Sequence, residues 1–106
     1  MELINKHREA LNEACVAFNV DELYAFGSVL TDKFTNQSDI DFVVSILSDD
    51  PIEYAENYFE LKFALEKIFD RKIDLLEQKA IRNKVFGDLL NQHKMLVYAR
   101  GNQGMA

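Results

Sequence analysis

The pair Gly27-Ser28, followed after ten intervening residues by Asp39-Ile40-Asp41, most constrains what this chain can fold into. Tyr24-Ala25-Phe26 before the glycine and Phe42-Val43-Val44 after the second aspartate are both rich in β-formers. The glycine is therefore expected at the end of one strand and the aspartates at the start of another. Side chains at i and i+2 of a strand point the same way, which puts Asp39 and Asp41 on one face and Ile40, Phe42 and Val44 on the other. Carboxylates held that close repel one another unless a cation lies between them. Mg²⁺ suits the position, because it takes oxygen ligands and is commonly held by one or two carboxylates together with substrate phosphates. Gly27 has no Cβ and lets the backbone come close to a phosphate, while Ser28 adds a hydroxyl and an N–H at an expected short helix start.

Periodicity organises the rest. An amphipathic helix is expected near Leu3 to Phe18, with Leu3, Ala10, Leu11, Ala14 and Phe18 on one stripe. His7 falls on that stripe and reads as a satisfied, half-buried side chain, and Cys15 as core packing. Asp50, Pro51 and Glu53 mark the N-terminus of a second helix that runs to about Phe69. Its core stripe is Tyr54, Tyr58, Leu61, Leu65 and Ile68, whereas Ile52, Phe59 and Phe63 cluster on the other side as a candidate docking patch for a partner or a second copy. Lys72-Ile73-Asp74-Leu75-Leu76 predicts a strand with one carboxylate in an apolar run. A third helix is expected from about Lys79 to His93, with Ile81, Val85 and Leu89 as its core stripe, and a last strand from Met95 to Tyr98. His93 and Lys94 suit a helix C-terminus. The order predicts an α/β (α+β) domain, a small mixed sheet flanked by helices.

A chain of 106 residues corresponds to one domain, expected here over residues 1–100, with a disordered tail at 101–106. No apolar run approaches the roughly 20 residues needed to span a bilayer. The N-terminus carries no basic, apolar secretion signal and the lone Cys15 cannot close an internal disulfide, so a cytoplasmic location is expected. A net charge of −6 opposes direct binding to nucleic acid, where affinity comes mostly from Lys and Arg meeting phosphates.

Residues Gly27 to Val44 resemble the active-site segment of the DNA polymerase β-like nucleotidyltransferase superfamily, whose motif is Gly-Ser, a spacer of about this length, then Asp-x-Asp. The resemblance covers most of the chain and is closest to the minimal nucleotidyltransferases. It implies a third carboxylate on a later strand, for which Asp74 is the candidate, and a metal triad of Asp39, Asp41 and Asp74 holding two Mg²⁺ ions. It also implies that Gly27 and Ser28 contact the phosphates of a nucleoside triphosphate. Many relatives carry an arginine just after Ser28, where Val29-Leu30-Thr31-Asp32-Lys33 stands here, leaving Lys33 as the substitute cation.

The implied activity is transfer of a nucleoside monophosphate to a hydroxyl with release of pyrophosphate. Because the chain leaves no room for an acceptor-gripping domain, another chain is expected to present the hydroxyl. Minimal members are similar to the antitoxins of two-gene modules that pair with a HEPN-domain ribonuclease toxin and attach AMP from ATP to a toxin tyrosine. Two further readings stay open. One is a module that neutralises its partner by occlusion alone; the other is a homodimer acting on a small-molecule hydroxyl. Read without the family, Asp39 is a turn cap, Asp41 an edge-strand charge and Gly27 a turn glycine, which leaves Asp74 unexplained.

Overall fold

The computed structural model describes residues 2–101. Its elements, in order, are α1 (Glu2–Lys6), α2 (Arg8–Ala17), β1 (Val20–Phe26), a 3₁₀ turn (Gly27–Leu30), β2 (Ile40–Ile46), α3 (Pro51–Phe69), β3 (Ile73–Glu77), a second 3₁₀ turn (Gln78–Ala80), α4 (Lys84–His93) and β4 (Met95–Ala99). The four strands form one mixed sheet in the order β3-β2-β1-β4. β1 is antiparallel to both β2 and β4, while β2 and β3, joined through α3, run parallel. The α+β architecture expected from the pattern is the one observed. Of the tail expected at 101–106, only Gly101 is among the described residues.

Register decides which side chains share a face. Ala25 opposes Phe42 and Leu23 opposes Val44 across β1 and β2, and Ile40 and Phe42 lie beside Ile73 and Leu75 of β3. These residues are buried and join Leu11, Ala14 and Cys15 of α2 and Leu61, Leu65 and Phe69 of α3 in the main core. Helices α1 to α3 therefore cover one face of the sheet. The other face carries Phe26, Asp41 and Asp74 at one end and Tyr24, Val43 and Leu76 further along. Among the described residues no polar or charged side chain is buried, so the core is wholly apolar. Burial pushes the Cys15 thiol up to about 12, which suits the inert packing role expected of it.

α3 forms as its signals require. The Asp50 carboxylate accepts the Ile52 N–H at 2.9 Å, Pro51 opens the first turn, and Asp70 at φ 51° ends the helix in left-handed backbone. Leu61, Leu65 and Phe69 are buried at helical spacing, Tyr54, Tyr58 and Ile68 pack half-buried beside them, and Tyr58 Oη donates to the Leu75 carbonyl at 2.5 Å. Ile52, Phe59 and Phe63 are 72%, 53% and 59% exposed, on the outer side as expected.

Two expectations are corrected. The single helix expected over Leu3 to Phe18 is broken at His7, whose backbone (φ −109°, ψ 21°) leaves the α region. The break lets the His7 ring meet Phe69 edge-on at 5.4 Å and the Arg8 guanidinium reach the Val97 carbonyl and Asn5 Oδ1. The last helix starts at Lys84, capped by the Asn83 side chain on the Phe86 N–H at 2.9 Å, so Ile81 precedes it. Val85 and Leu89 are 70% and 53% exposed and are not a core stripe; Leu90, one residue and about 100° further round, is the side chain that turns inward. A phase counted from Ile81 cannot hold when Ile81 lies outside the helix. No helix among the described residues is long and apolar enough to cross a membrane.

Candidate functional site

The carboxylates meet because β2 and β3 are parallel and in register. Asp41 is the Cα partner of Asp74 on one side and of Phe26 on the other, which places both carboxylates on the sheet face away from α1 to α3. Asp39 is not on the strand as expected. β2 begins at Ile40, and Asp39 is the last residue of the loop before it, close enough for its charge to act on Asp41.

Gly27 closes the site from the β1 side. At φ +76° its backbone lies in the left-handed region, and a Cβ placed there would fall deep inside van der Waals contact with Asp41 Oδ2 and 3.4 Å from Asp41 Cγ. The glycine is thus required twice, by its own backbone and by the carboxylate packed against it. Ser28, half-buried in the 3₁₀ turn, offers its carbonyl to the Thr31 N–H and hydroxyl, each at 2.9 Å. Lys33 is exposed in the loop that follows; its N–H donates to Thr31 Oγ1 at 3.2 Å, and no contact among the described residues ties its ammonium to the carboxylates.

Asp41 carries the strain of this arrangement. Its carboxyl is held above the ordinary carboxylate range, first by partial burial, then by the charge of Asp74 and then by that of Asp39. A hard divalent cation relieves those causes together, and three carboxylates are the oxygen donor set that Mg²⁺ takes. Among the described residues no three His, Cys, Asp or Glu side chains are already closed into a metal cage, so Asp39, Asp41 and Asp74 fit an ion by donor chemistry and by shared position, with their side chains left to close on it.

Two cations at this end of the sheet lay outside the sequence reading of the site. Arg71, in the turn between α3 and β3, donates from Nη1 to the carbonyls of Thr35 at 3.1 Å and Ser38 at 2.9 Å, and its guanidinium lies over the Phe34 ring at 4.7 Å. The only sequence signal for it is its place three residues before Asp74; its partners are 33 and 36 residues earlier. Lys94 is the C-cap residue of α4, the helix end expected of it, and its ammonium also lies over the Tyr24 ring at 3.9 Å, on the same face as Phe26 and Asp41.

The nucleotidyltransferase domain family matches residues 4–96. A protein of Methanocaldococcus jannaschii, named as a candidate protein adenylyltransferase, is 34% identical over 82 residues, covering 77% of this chain and 78% of that protein. Among solved structures, a candidate minimal nucleotidyltransferase superposes with a TM-score of 0.72 at 20% identity, over 89% of this chain and 92% of the other. A toxin–antitoxin complex with AMP-PNP gives 0.66 at 18% identity, over 92% of this chain and 77% of the other. The complex of a tri-AMPylated Shewanella oneidensis HEPN toxin with its MNT antitoxin gives 0.62 at 17% identity, over 96% and 77%. At these identities the structural matches establish the fold.

Proposed function

The chain belongs to the nucleotidyltransferase domain family, and from that premise we propose that it is a Mg²⁺-dependent adenylyltransferase that moves AMP from ATP to a tyrosine hydroxyl of a HEPN-domain partner, which it thereby neutralises as an antitoxin. The observation that carries the reading is the registered pair Asp41 and Asp74 with Gly27 packed against Asp41. The family resemblance and the shared position of these residues support the following roles. Asp39, Asp41 and Asp74 would hold two Mg²⁺ ions, which would supply activation of the acceptor oxygen and charge compensation at the leaving phosphates. Gly27 lets the triphosphate approach the backbone, Ser28 donates to its outer phosphates, and Lys33 adds positive charge from the loop. The acceptor hydroxyl oxygen forms a bond to the α-phosphorus as the bond from that phosphorus to the α–β bridging oxygen breaks. Pyrophosphate leaves, and the hydroxyl proton passes to Asp74.

ATP as donor and a protein as acceptor are supported by the name of the M. jannaschii relative and by the AMP-PNP complex. A HEPN partner is supported by the toxin–antitoxin neighbours. Ile52, Phe59 and Phe63 are the candidate docking residues; Ile52 and Phe59 line a groove of about 810 Å³ with Ala17 and Phe18. α3 packs on the opposite face of the sheet from the carboxylates, but its C-terminal end leads through residues 70–72 to the edge strand that carries Asp74. A partner seated toward Phe63 would present its hydroxyl around that edge.

Transfer of label from α-phosphate-labelled ATP into proteins of a host lysate with Mg²⁺, compared between wild type and Asp41→Asn, tests the proposal. A discrete protein labelled by wild type alone is expected. A partner that is captured and silenced with its mass unchanged would overturn it in favour of occlusion without catalysis.

A further inference from the structure

We propose that Arg71 is a positioning residue that sets the geometry of Asp39, a role that rests on the metal-dependent reading above. Asp39 lies in the loop just before β2, yet both peptide units beside its Cα are held by one short segment, one by the Arg71 side chain and the other by the first bond of the β2–β3 ladder. The preceding unit is held through the Ser38 carbonyl, which accepts from Arg71 Nη1 at 2.9 Å. The following unit is held through the Ile40 N–H, which donates to the Lys72 carbonyl at 3.3 Å. Arg71 and Lys72 are consecutive and lead directly into β3, where Asp74 sits, so the backbone positions of Asp39 and Asp74 are set by the same four residues.

The guanidinium is suited to the task. Nη1 also takes the Thr35 carbonyl at 3.1 Å, gathering both ends of a turn closed by the Ser38 N–H on the Thr35 carbonyl at 3.1 Å and by the Thr35 N–H on Ser38 Oγ at 3.0 Å. Its plane rests on Phe34, itself packed against the main core, which ties the loop to the body of the protein. A lysine could bring the same charge but not the planar stack together with two carbonyl contacts. Arg71 thus acts on the ion through Asp39, as groups that orient ligating carboxylates do in other metal sites.

The test is titration with Mn²⁺ alone, read by the electron paramagnetic resonance signal of free Mn²⁺, for wild type, Asp39→Asn, Arg71→Lys, Arg71→Ala and the Arg71→Ala/Asp39→Asn double variant. Metal-free thermal melts run alongside. Loss of an outer partner of a ligand typically weakens metal binding about 10- to 100-fold. That loss is expected for Arg71→Ala, with no further loss when it is added to Asp39→Asn. Arg71→Lys, which keeps the charge and guards against a variant that fails to fold, is expected to recover only part of the affinity. Wild-type affinity in Arg71→Lys, or an equal loss from Arg71→Ala with and without Asp39, would overturn the role. A wild-type protein that binds no Mn²⁺ would remove the metal-dependent reading, whereas normal wild-type binding with an indifferent Arg71 would remove this inference alone.

Discussion

Gly27 and Asp41 occupy one another's space: the carboxylate of Asp41 lies where a Cβ on Gly27 would be, at the point where β1 hands over to the 3₁₀ turn. The relationship makes a backbone requirement and a chemical one inseparable, and it gives a sharp prediction. Gly27→Ala must adopt φ near +76° and must move the Asp41 carboxylate. It should cost roughly 1–2 kcal/mol of stability and, through displacement of the carboxylate, lower transfer about 100-fold. Chemical unfolding and the labelled-ATP assay measure the two effects; a stable variant of undiminished activity would contradict the contact.

Asp41→Asn should abolish transfer and yet raise stability. The Asp41 carboxyl is held above its unfolded range, so the folded state binds that proton more tightly than the unfolded chain does. Stability is therefore gained as pH falls through the folded value, and at neutral pH the penalty of an ionised Asp41 is fully present. The variant lacks that penalty. Metal-free melts at pH 7 should show Asp41→Asn above wild type, with the gap narrowing as pH falls through the raised carboxyl range.

The same shift governs the ion. A proton on Asp41 competes with Mg²⁺, so affinity for the ion should fall about tenfold per pH unit below the Asp41 value. The fall should begin at higher pH than for an ordinary carboxylate, because burial, Asp74 and Asp39 all favour the protonated form. Calorimetric titration of Mg²⁺ across pH would register it, and a fall confined to the ordinary carboxylate range would count against the cluster.

On α3 two residues should behave oppositely. Leu65 has no exposed surface and lies in the main core, so Leu65→Ala should cost about 2–5 kcal/mol. Phe59 is half exposed on the other side of the same helix, and Phe59→Asp should change stability by no more than about 0.5 kcal/mol. Denaturant melts of the pair are a direct check on which face is core.

Phe59→Asp combined with Phe63→Asp should raise KM for the protein acceptor while leaving Mg²⁺ and ATP binding at wild-type values. Unchanged acceptor kinetics would move the docking surface away from α3.

Much of the fold was legible because its signals are local. Asp50-Pro51 announces α3, the expected stripe places Leu61 and Leu65 on the buried face, though Phe69 takes the full burial expected of its neighbour Ile68, and alternation along β2 separates Asp41 from Phe42. The split at His7 and the late start of α4 were not legible. The first follows from contacts of His7 and Arg8 with Phe69 and Val97, far away in the chain; the second follows from a side-chain cap at Asn83 that periodicity does not register.

For the candidate site, the sequence by itself determined the family motif and its chemical parts: a glycine at a strand end, a serine after it, and aspartates in apolar runs. Residue type and spacing suffice for that, since strand alternation is a property of the backbone. Only the tertiary structure decided that Asp41 faces Asp74 across a parallel ladder, that Asp39 stands in a loop bracketed by Arg71 and Lys72, and that Gly27 is pressed against Asp41. Each of these depends on register between segments 12 or more residues apart, which is set by how the apolar faces of the sheet and helices pack and not by any local preference.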